Sequence, residues 1–196
     1  MKIGILGGTF NPIHMGHLMI AEHIRQEKNF DKILFIPTGD PPHKDVEVPG
    51  IKRAEMVRLA ISDNRHFEMS PIEVNREGRT FTVDTLNELK NIYDEMYYIV
   101  GSDTIFQFRS WKNFKEVAEM TKFIYMLRPG SEDTVVLRDE IEFLRENFSV
   151  QIEQIEGPML YLSSTYLRER IKTGKSIKYL VPDYVIKYIN DEGLYV

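Results

Sequence analysis

Along the chain, short runs dense in Ile, Val, Phe and Tyr alternate with longer runs in which apolar residues recur at three- and four-residue steps. The short runs, Lys2–Leu6, Lys32–Pro37, Phe67–Val74, Tyr97–Gly101, Phe123–Leu127 and Val150–Ile155, suit buried pleated strands. Between them the spacing predicts helices over Gly16–Glu27, Lys52–Ser62, Val83–Tyr93, Phe114–Met120 and Val135–Glu146. Val83, Leu86, Leu89 and Tyr93 form one stripe of the third helix, and Val136, Ile141, Leu144 and Phe148 lie on one side of the fifth. Such alternation requires parallel strands joined by crossover helices, so the expected fold class is α/β with a doubly wound parallel sheet. After Ile155 the pattern changes to the turn Gly157-Pro158 and two short helices, Thr165–Thr173 and Pro182–Asp191, a helical segment over about 163–196. No repeat or linker interrupts the chain, and at ~150 residues per domain its 196 residues suit one domain.

In an open parallel sheet, ligands sit beyond the carboxyl ends of the strands. After Leu6 stands Gly7-Gly8-Thr9-Phe10-Asn11-Pro12-Ile13-His14-Met15-Gly16-His17. Glycines at a strand end allow a ligand close to the backbone, and free N–H groups at a helix start attract anions. His14 and His17 can face the same side, where two imidazoles can donate hydrogen bonds to phosphate. The spacing is not Gly-x-Gly-x-x-Gly, and Gly174-Lys175-Ser176 has Glu169 where a P-loop needs its earlier glycine. These residues leave three readings: a phosphate site, a metal on the two histidines, or a purely structural turn.

Further on, Ser163, Ser164 and Thr165 are good helix N-cap types. Arg168 falls near the start of that helix, where the dipole disfavours a cation; an anionic ligand would relieve the conflict, as would pairing with Glu169 or Glu156. In Gly101-Ser102-Asp103, the carboxylate either caps a helix or accepts hydrogen bonds from a ribose. Trp111, the one tryptophan, packs in the core or stacks on a ligand ring. Lys44, in Pro42-His43-Lys44, belongs to a loop rich in proline, and lysine there is ordinarily solvated.

Lys plus Arg number 25 and Asp plus Glu 30, a formal net charge of −5, so no nucleic-acid partner is expected. With no cysteine, disulfides, zinc-thiolate and iron–sulfur sites and thiol nucleophiles are excluded. No run nears the roughly 18 apolar residues of a membrane span and no signal pattern opens the chain, so no membrane partner and a cytoplasmic location are expected. Asn147-Phe148-Ser149 is then a chance match to a glycosylation tripeptide. A homo-oligomer remains an open partner.

The string GGTFNPIHMGH resembles the signature of the nucleotidyltransferase superfamily, a His-x-Gly-His turn after the first strand. Ser163-Ser164-Thr165-Tyr166-Leu167-Arg168 resembles its Ser-Ser-Thr-x-x-Arg motif. Several other stretches make the chain similar, from Lys2 to about Ile189, to the bacterial nicotinate mononucleotide adenylyltransferase family. They are Phe10-Asn11-Pro12, Trp111 after Gly101-Ser102-Asp103, Thr80-Phe81-Thr82-Val83-Asp84-Thr85-Leu86, Arg128-Pro129-Gly130 and Tyr179-Leu180-Val181-Pro182. Phe81 stands where that family commonly has Tyr, and Lys112 where it often has an aromatic residue.

The resemblance implies a Rossmann-like nucleotidyltransferase fold and transfer of AMP from ATP to nicotinate mononucleotide, releasing pyrophosphate, in NAD biosynthesis. It implies His17 at the α-phosphate, assisted by His14, with Gly7, Gly8, Thr9, Phe10, Gly101, Asp103, Ser163, Ser164, Thr165 and Arg168 also holding ATP. Lys44, Thr82, Trp111 and Arg128 would hold the mononucleotide. It also implies Mg2+ bound mainly through the ATP phosphates, without a protein ligand set. Phosphopantetheine adenylyltransferase shares both motifs, but is usually shorter and typically has Thr in place of the first histidine. A nucleotide-binding regulator without turnover is a rival of another class.

Overall fold

A computed structural model of the chain describes residues 1–40, 46–127, 135–158 and 160–196. Strands β1 (Lys2–Gly8), β2 (Lys32–Pro37), β3 (Phe67–Met69), β4 (Glu95–Gly101), β5 (Lys122–Met126) and β6 (Ile152–Gln154) form one sheet in the order β3-β2-β1-β4-β5-β6. Every pairing is parallel, with Gly8 beside Pro37 and Ile5 beside Tyr98. Between and after the strands run helices α1 (Met15–Lys28), α2 (Gly50–Ala60), α3 (Thr82–Leu89), α4 (Ser102–Ile105), α5 (Phe114–Met120), α6 (Val135–Phe148), α7 (Ser164–Lys172) and α8 (Asp183–Asp191). The expected fold class, an α/β doubly wound parallel sheet ending in a helical segment, is the one observed.

The strands read as continuous apolar runs because both faces of the sheet are covered. Ile33 and Phe35 of β2 pack with Ile24 of α1, Met56 of α2, Leu167 of α7 and Val185 of α8 on one face. Leu34 and Ile36 turn the other way, toward Leu86 of α3, Val117 of α5 and Ile141 of α6. A two-residue alternation thus feeds two cores from one strand.

Three expectations need correction. The third strand stops at Met69: the Ser70 N–H still donates to the Phe35 carbonyl at 2.9 Å, and Pro71, with no N–H, ends the ladder at this edge. The third helix ends at Leu89, because β4 must begin at Glu95 to lie beside Lys2; Tyr93 falls between them, half-buried. In α6 the inward stripe is Leu137, Ile141 and Leu144, while Val136 is 65% exposed, one position off the helical repeat.

Chain order reverses between β1 and β4, the switch point at which neighbouring crossovers leave to opposite faces and a crevice opens.

Candidate active site

A cleft of about 860 Å3 lies at that switch point, bordered by Gly7 and Gly8 of β1 and Gly101 of β4. A methyl group at Gly7 would collide with the Tyr98 hydroxyl, so this glycine makes room for the adjacent strand's side chain. Phe10 has φ +46, in the left-handed region that non-glycine residues rarely occupy, and its side chain is buried. Its ring meets His17 edge-on, with centroids 5.1 Å apart. Phe10 therefore supports the histidine from below, leaving its backbone for any ligand contact.

His14 is the N-cap of α1, and its imidazole stacks on that of His17 with centroids 3.7 Å apart. The His14 main-chain N–H donates to His17 Nδ1 at 3.2 Å. An amide N–H can only donate, so Nδ1 presents its lone pair and a neutral His17 carries its proton on Nε2. Four carbonyl oxygens of the turn are engaged elsewhere. Gly8 O accepts from the Thr38 N–H at 2.9 Å, Thr9 O from Arg53 Nη1 at 2.6 Å, Asn11 O from Arg168 Nη1 at 2.8 Å, and Pro12 O from Ser164 Oγ at 2.9 Å. Acceptors that would repel an anion are thereby occupied.

Arg53 is buried with no carboxylate as hydrogen-bond partner among the described residues; besides Thr9 it donates to the carbonyls of Val48, Thr38 and Gly39. Burial pulls its guanidinium below the ordinary value, while Tyr195 opposes the change.

The second motif forms the start of α7. Ser163 caps it, its Oγ accepting the Tyr166 N–H at 3.2 Å. No acidic residue stands in the first turn of either α1 or α7, so the positive ends of both helices are left uncancelled at the cleft. Arg168 is half-buried and bonds to Asn11 O and, at 3.2 Å, to Thr165 Oγ1; among the described residues it pairs with neither Glu169 nor Glu156. Two of its five N–H groups are used in those bonds.

The far wall is aromatic. Trp111 is half-buried and edge-on to Tyr98 and Phe108, with centroids at 5.9 and 5.0 Å, so it packs in the core and faces the cleft at once. Thr82, the first residue of α3, and Phe81 flank it, with Lys112 Nζ 4.5 Å from the Phe81 ring centre. Glu73 is buried in the same wall and accepts a hydrogen bond from Thr85 Oγ1 at 2.8 Å. Burial pushes its carboxyl above the ordinary carboxylate value, against the pull of the Thr85 hydroxyl, the Arg76 charge and Thr80. The Thr38 hydroxyl, also at the cleft, is buried without a hydrogen-bond partner among the described residues.

Gly7, Gly8, Thr9, Phe10, His14, His17, Gly101, Ser163, Ser164, Thr165 and Arg168, with Thr82 and Trp111, are thus brought to one cleft. Asp103 is not among its lining residues; it is exposed as the second residue of α4, whose N-cap is Gly101. Lys44 and Arg128 lie outside the described residues. Asn11, Thr38, Glu73 and Tyr98 line the cleft and were not singled out by sequence reasoning. Thr38 directly follows a strand's carboxyl end, and Glu73 is an acid inside an apolar run, two signals that could have marked them. Among the described residues no three His, Asp or Glu side chains converge where they could hold a metal ion. Nor is any helix among them long and apolar enough to cross a membrane.

The cytidylyltransferase-like family model matches residues 5–170. A Thermoanaerobacter sp. (strain X514) protein named "Probable nicotinate-nucleotide adenylyltransferase" is 41% identical, the match covering 100% of this chain and 94% of that one. A Desulfitobacterium hafniense (strain Y51) protein of the same name is 43% identical over 99% and 95%. Among solved structures, Plasmodium falciparum nicotinic acid mononucleotide adenylyltransferase complexed with NaAD superposes with a TM-score of 0.80, covering 99% of this chain and 97% of that one. Its 21% identity makes this a likeness of fold. With a family model over most of its length and relatives above 40% identity from end to end, the chain belongs to the cytidylyltransferase-like family, among the nicotinate-nucleotide adenylyltransferases.

Proposed function

We propose that this chain, acting as a single domain in the cytoplasm, transfers AMP from ATP to nicotinate mononucleotide, forming nicotinate adenine dinucleotide and pyrophosphate in NAD biosynthesis. One observation carries the reading: the turn leading into one helix start suited to anions is bonded to another such helix start, Pro12 to Ser164 across 152 positions, at one cleft that Trp111 and Phe81 also line. The Plasmodium falciparum enzyme of the same fold is described in complex with NaAD and with APC, ligands of the chemistry proposed here.

An oxygen of the mononucleotide's phosphate forms the new bond to the α-phosphorus. The bond from that phosphorus to the bridging oxygen breaks, and its electron pair leaves with pyrophosphate. The attacking phosphate, with a second pKa near ~6, is largely ionised at neutral pH, so no general base is required. The protein's work is to hold two anions in line and stabilise charge at the α-phosphoryl group. His17 Nε2–H donates to the α-phosphate, with its ring orientation held by His14 and Phe10. The backbone N–H groups of Ser164 and Thr165 and the remaining N–H groups of Arg168 hold the outer phosphates, with Ser163 capping the helix beneath them. Gly7, Gly8, Thr9 and Phe10 present backbone to the nucleotide and Gly101 borders the cleft, while Asp103, outside the cleft lining, is assigned to ATP by resemblance alone. Thr82 and Trp111 receive the pyridine ring, with Lys44 and Arg128 assigned to the mononucleotide by resemblance.

The residues facing the cleft fit a metal that arrives with the nucleotide, since no resident ligand set converges among those described. Mg2+ on the ATP phosphates would neutralise charge between them.

Labelled ATP tests the reaction type. With nicotinate mononucleotide present, label at the α-phosphorus should move into a dinucleotide and label at the γ-phosphorus into pyrophosphate. Appearance of the γ-label on the mononucleotide would mean phosphoryl transfer and contradict the proposal.

A further inference from the structure

Tyr195 lies 184 positions from Asn11, yet its hydroxyl donates to Asn11 Oδ1 at 2.6 Å in the interior. Both residues are buried, Tyr195 at 3% exposure and Asn11 at 5%, and Leu194 beside them is buried as well. Tyr195 has φ +66, a left-handed conformation that a tyrosine adopts at a cost, so packing and this hydrogen bond hold it there. Burial pushes the phenol well above its ordinary pKa even though the nearby charges of Arg168 and Arg53 pull it down; it remains a donor at any working pH.

The same asparagine carries the contact on which the outer-phosphate arm rests. Its main-chain oxygen accepts Arg168 Nη1 at 2.8 Å, Nη2 donates to Thr165 Oγ1 at 3.2 Å, and the other three N–H groups of the guanidinium are not used in these bonds. Neighbouring Thr9 O and Pro12 O are tied to Arg53 and Ser164. Asn11 is thus the point where the tyrosine, the arginine and the signature turn meet. The side chain and the carbonyl belong to one residue, so the hydrogen bond that anchors the Asn11 side chain also restrains the backbone that presents the carbonyl to Arg168.

We propose that Tyr195 is a positioning residue for ATP: by fixing the Asn11 side chain it sets the carbonyl that orients Arg168. This rests on the assignment of nucleotide phosphates to this cleft, not on the identity of the mononucleotide. Trp111 packs on Tyr98 and Phe108 rather than on Asn11, Arg168 or Tyr195, so the effect should fall on the ATP side.

The test is Tyr195→Phe, which keeps the ring and removes the donor, beside Asn11→Ser and the double variant. The Kd for ATP is measured by titration calorimetry on each folded protein, with melting temperature and both KM values alongside. ATP binding should weaken about tenfold in Tyr195→Phe, with the KM for nicotinate mononucleotide changed less than about twofold. The double variant should lose no more ATP affinity than the worse single one, because both break the same link. An unchanged ATP Kd in folded Tyr195→Phe would overturn the proposal, as would equal losses for both substrates or additive losses in the double variant. Failure of both single variants to fold would overturn it too, by assigning the link to folding. Because ATP binding is read without turnover, the outcome stands apart from whether nicotinate mononucleotide is the acceptor.

Discussion

Ser164 Oγ donates to the Pro12 carbonyl oxygen at 2.9 Å, so the helix start that closes the cleft is fastened directly to the turn that opens it. The two motifs are read in sequence as separate anion sites; in the fold they are one unit, held on the same face of the sheet by Leu167, Ile13 and Leu6. Ser164→Ala should destabilise the protein by roughly 1 kcal/mol, the net worth of a typical intramolecular hydrogen bond. It should also lower kcat/KM for ATP. Urea unfolding and ATP-dependent kinetics on the same preparation check both; loss of neither would mean the motifs are held together by packing alone.

His17→Ala should lower kcat by about 100- to 1000-fold, the range for losing one donor to a developing charge, with a much smaller change in the KM for ATP. His17→Gln keeps a donor, and should retain more turnover than the alanine variant if an Nε2 donor is what matters. Steady-state kinetics of the two variants give the comparison, and near-normal kcat in His17→Ala would remove the histidine from the reaction.

Arg53 ties four carbonyls from the signature turn, the end of β2 and the approach to α2. Arg53→Met should strand several buried acceptors and cost about 3 kcal/mol or more, whereas Arg53→Lys, with fewer donors and no fixed fork, should fall between. Equilibrium unfolding measures the order. A stable methionine variant would show that water satisfies those carbonyls.

Glu73 gives a pH signature of definite sign. Its folded-state pKa is raised, first by burial, so the unfolded chain loses this proton at lower pH than the folded one. Its contribution therefore turns against the folded state as pH rises from the ordinary carboxylate value through the raised one, and stays unfavourable above it. Glu73→Gln removes that ionisation while its amide oxygen can still accept from Thr85. The stability difference between variant and wild type should shift in the variant's favour between about pH 4 and pH 8. Parallel denaturation across that range tests it; a difference that is flat or runs the other way contradicts the burial argument.

These cases mark what the sequence could and could not convey. Strand β2 and helix α5 begin and end where local composition places them, because apolar runs and turn residues act over a few positions. Both anion motifs are legible for the same reason: each needs only its own loop and helix start. The roles of Arg53 and Tyr195 are invisible locally. An arginine in a helix and a tyrosine near Gly193 look ordinary until tertiary contacts across 44 and 184 positions give them partners. Trp111 shows that core and cleft wall are not alternatives, since its ring packs on Phe108 and lines the cleft at once. Asp103 is the reverse: its pattern suggests a site, and the short α4 leaves it exposed outside the cleft lining.

Pyrophosphate release from MgATP decides whether nicotinate mononucleotide is the acceptor. Nicotinate mononucleotide, nicotinamide mononucleotide and phosphopantetheine are offered in parallel to the same enzyme. Rapid release with the first, slow release with the second and none with the third is the predicted result. Release with phosphopantetheine alone, or ATP binding with no release for any of the three, would contradict it.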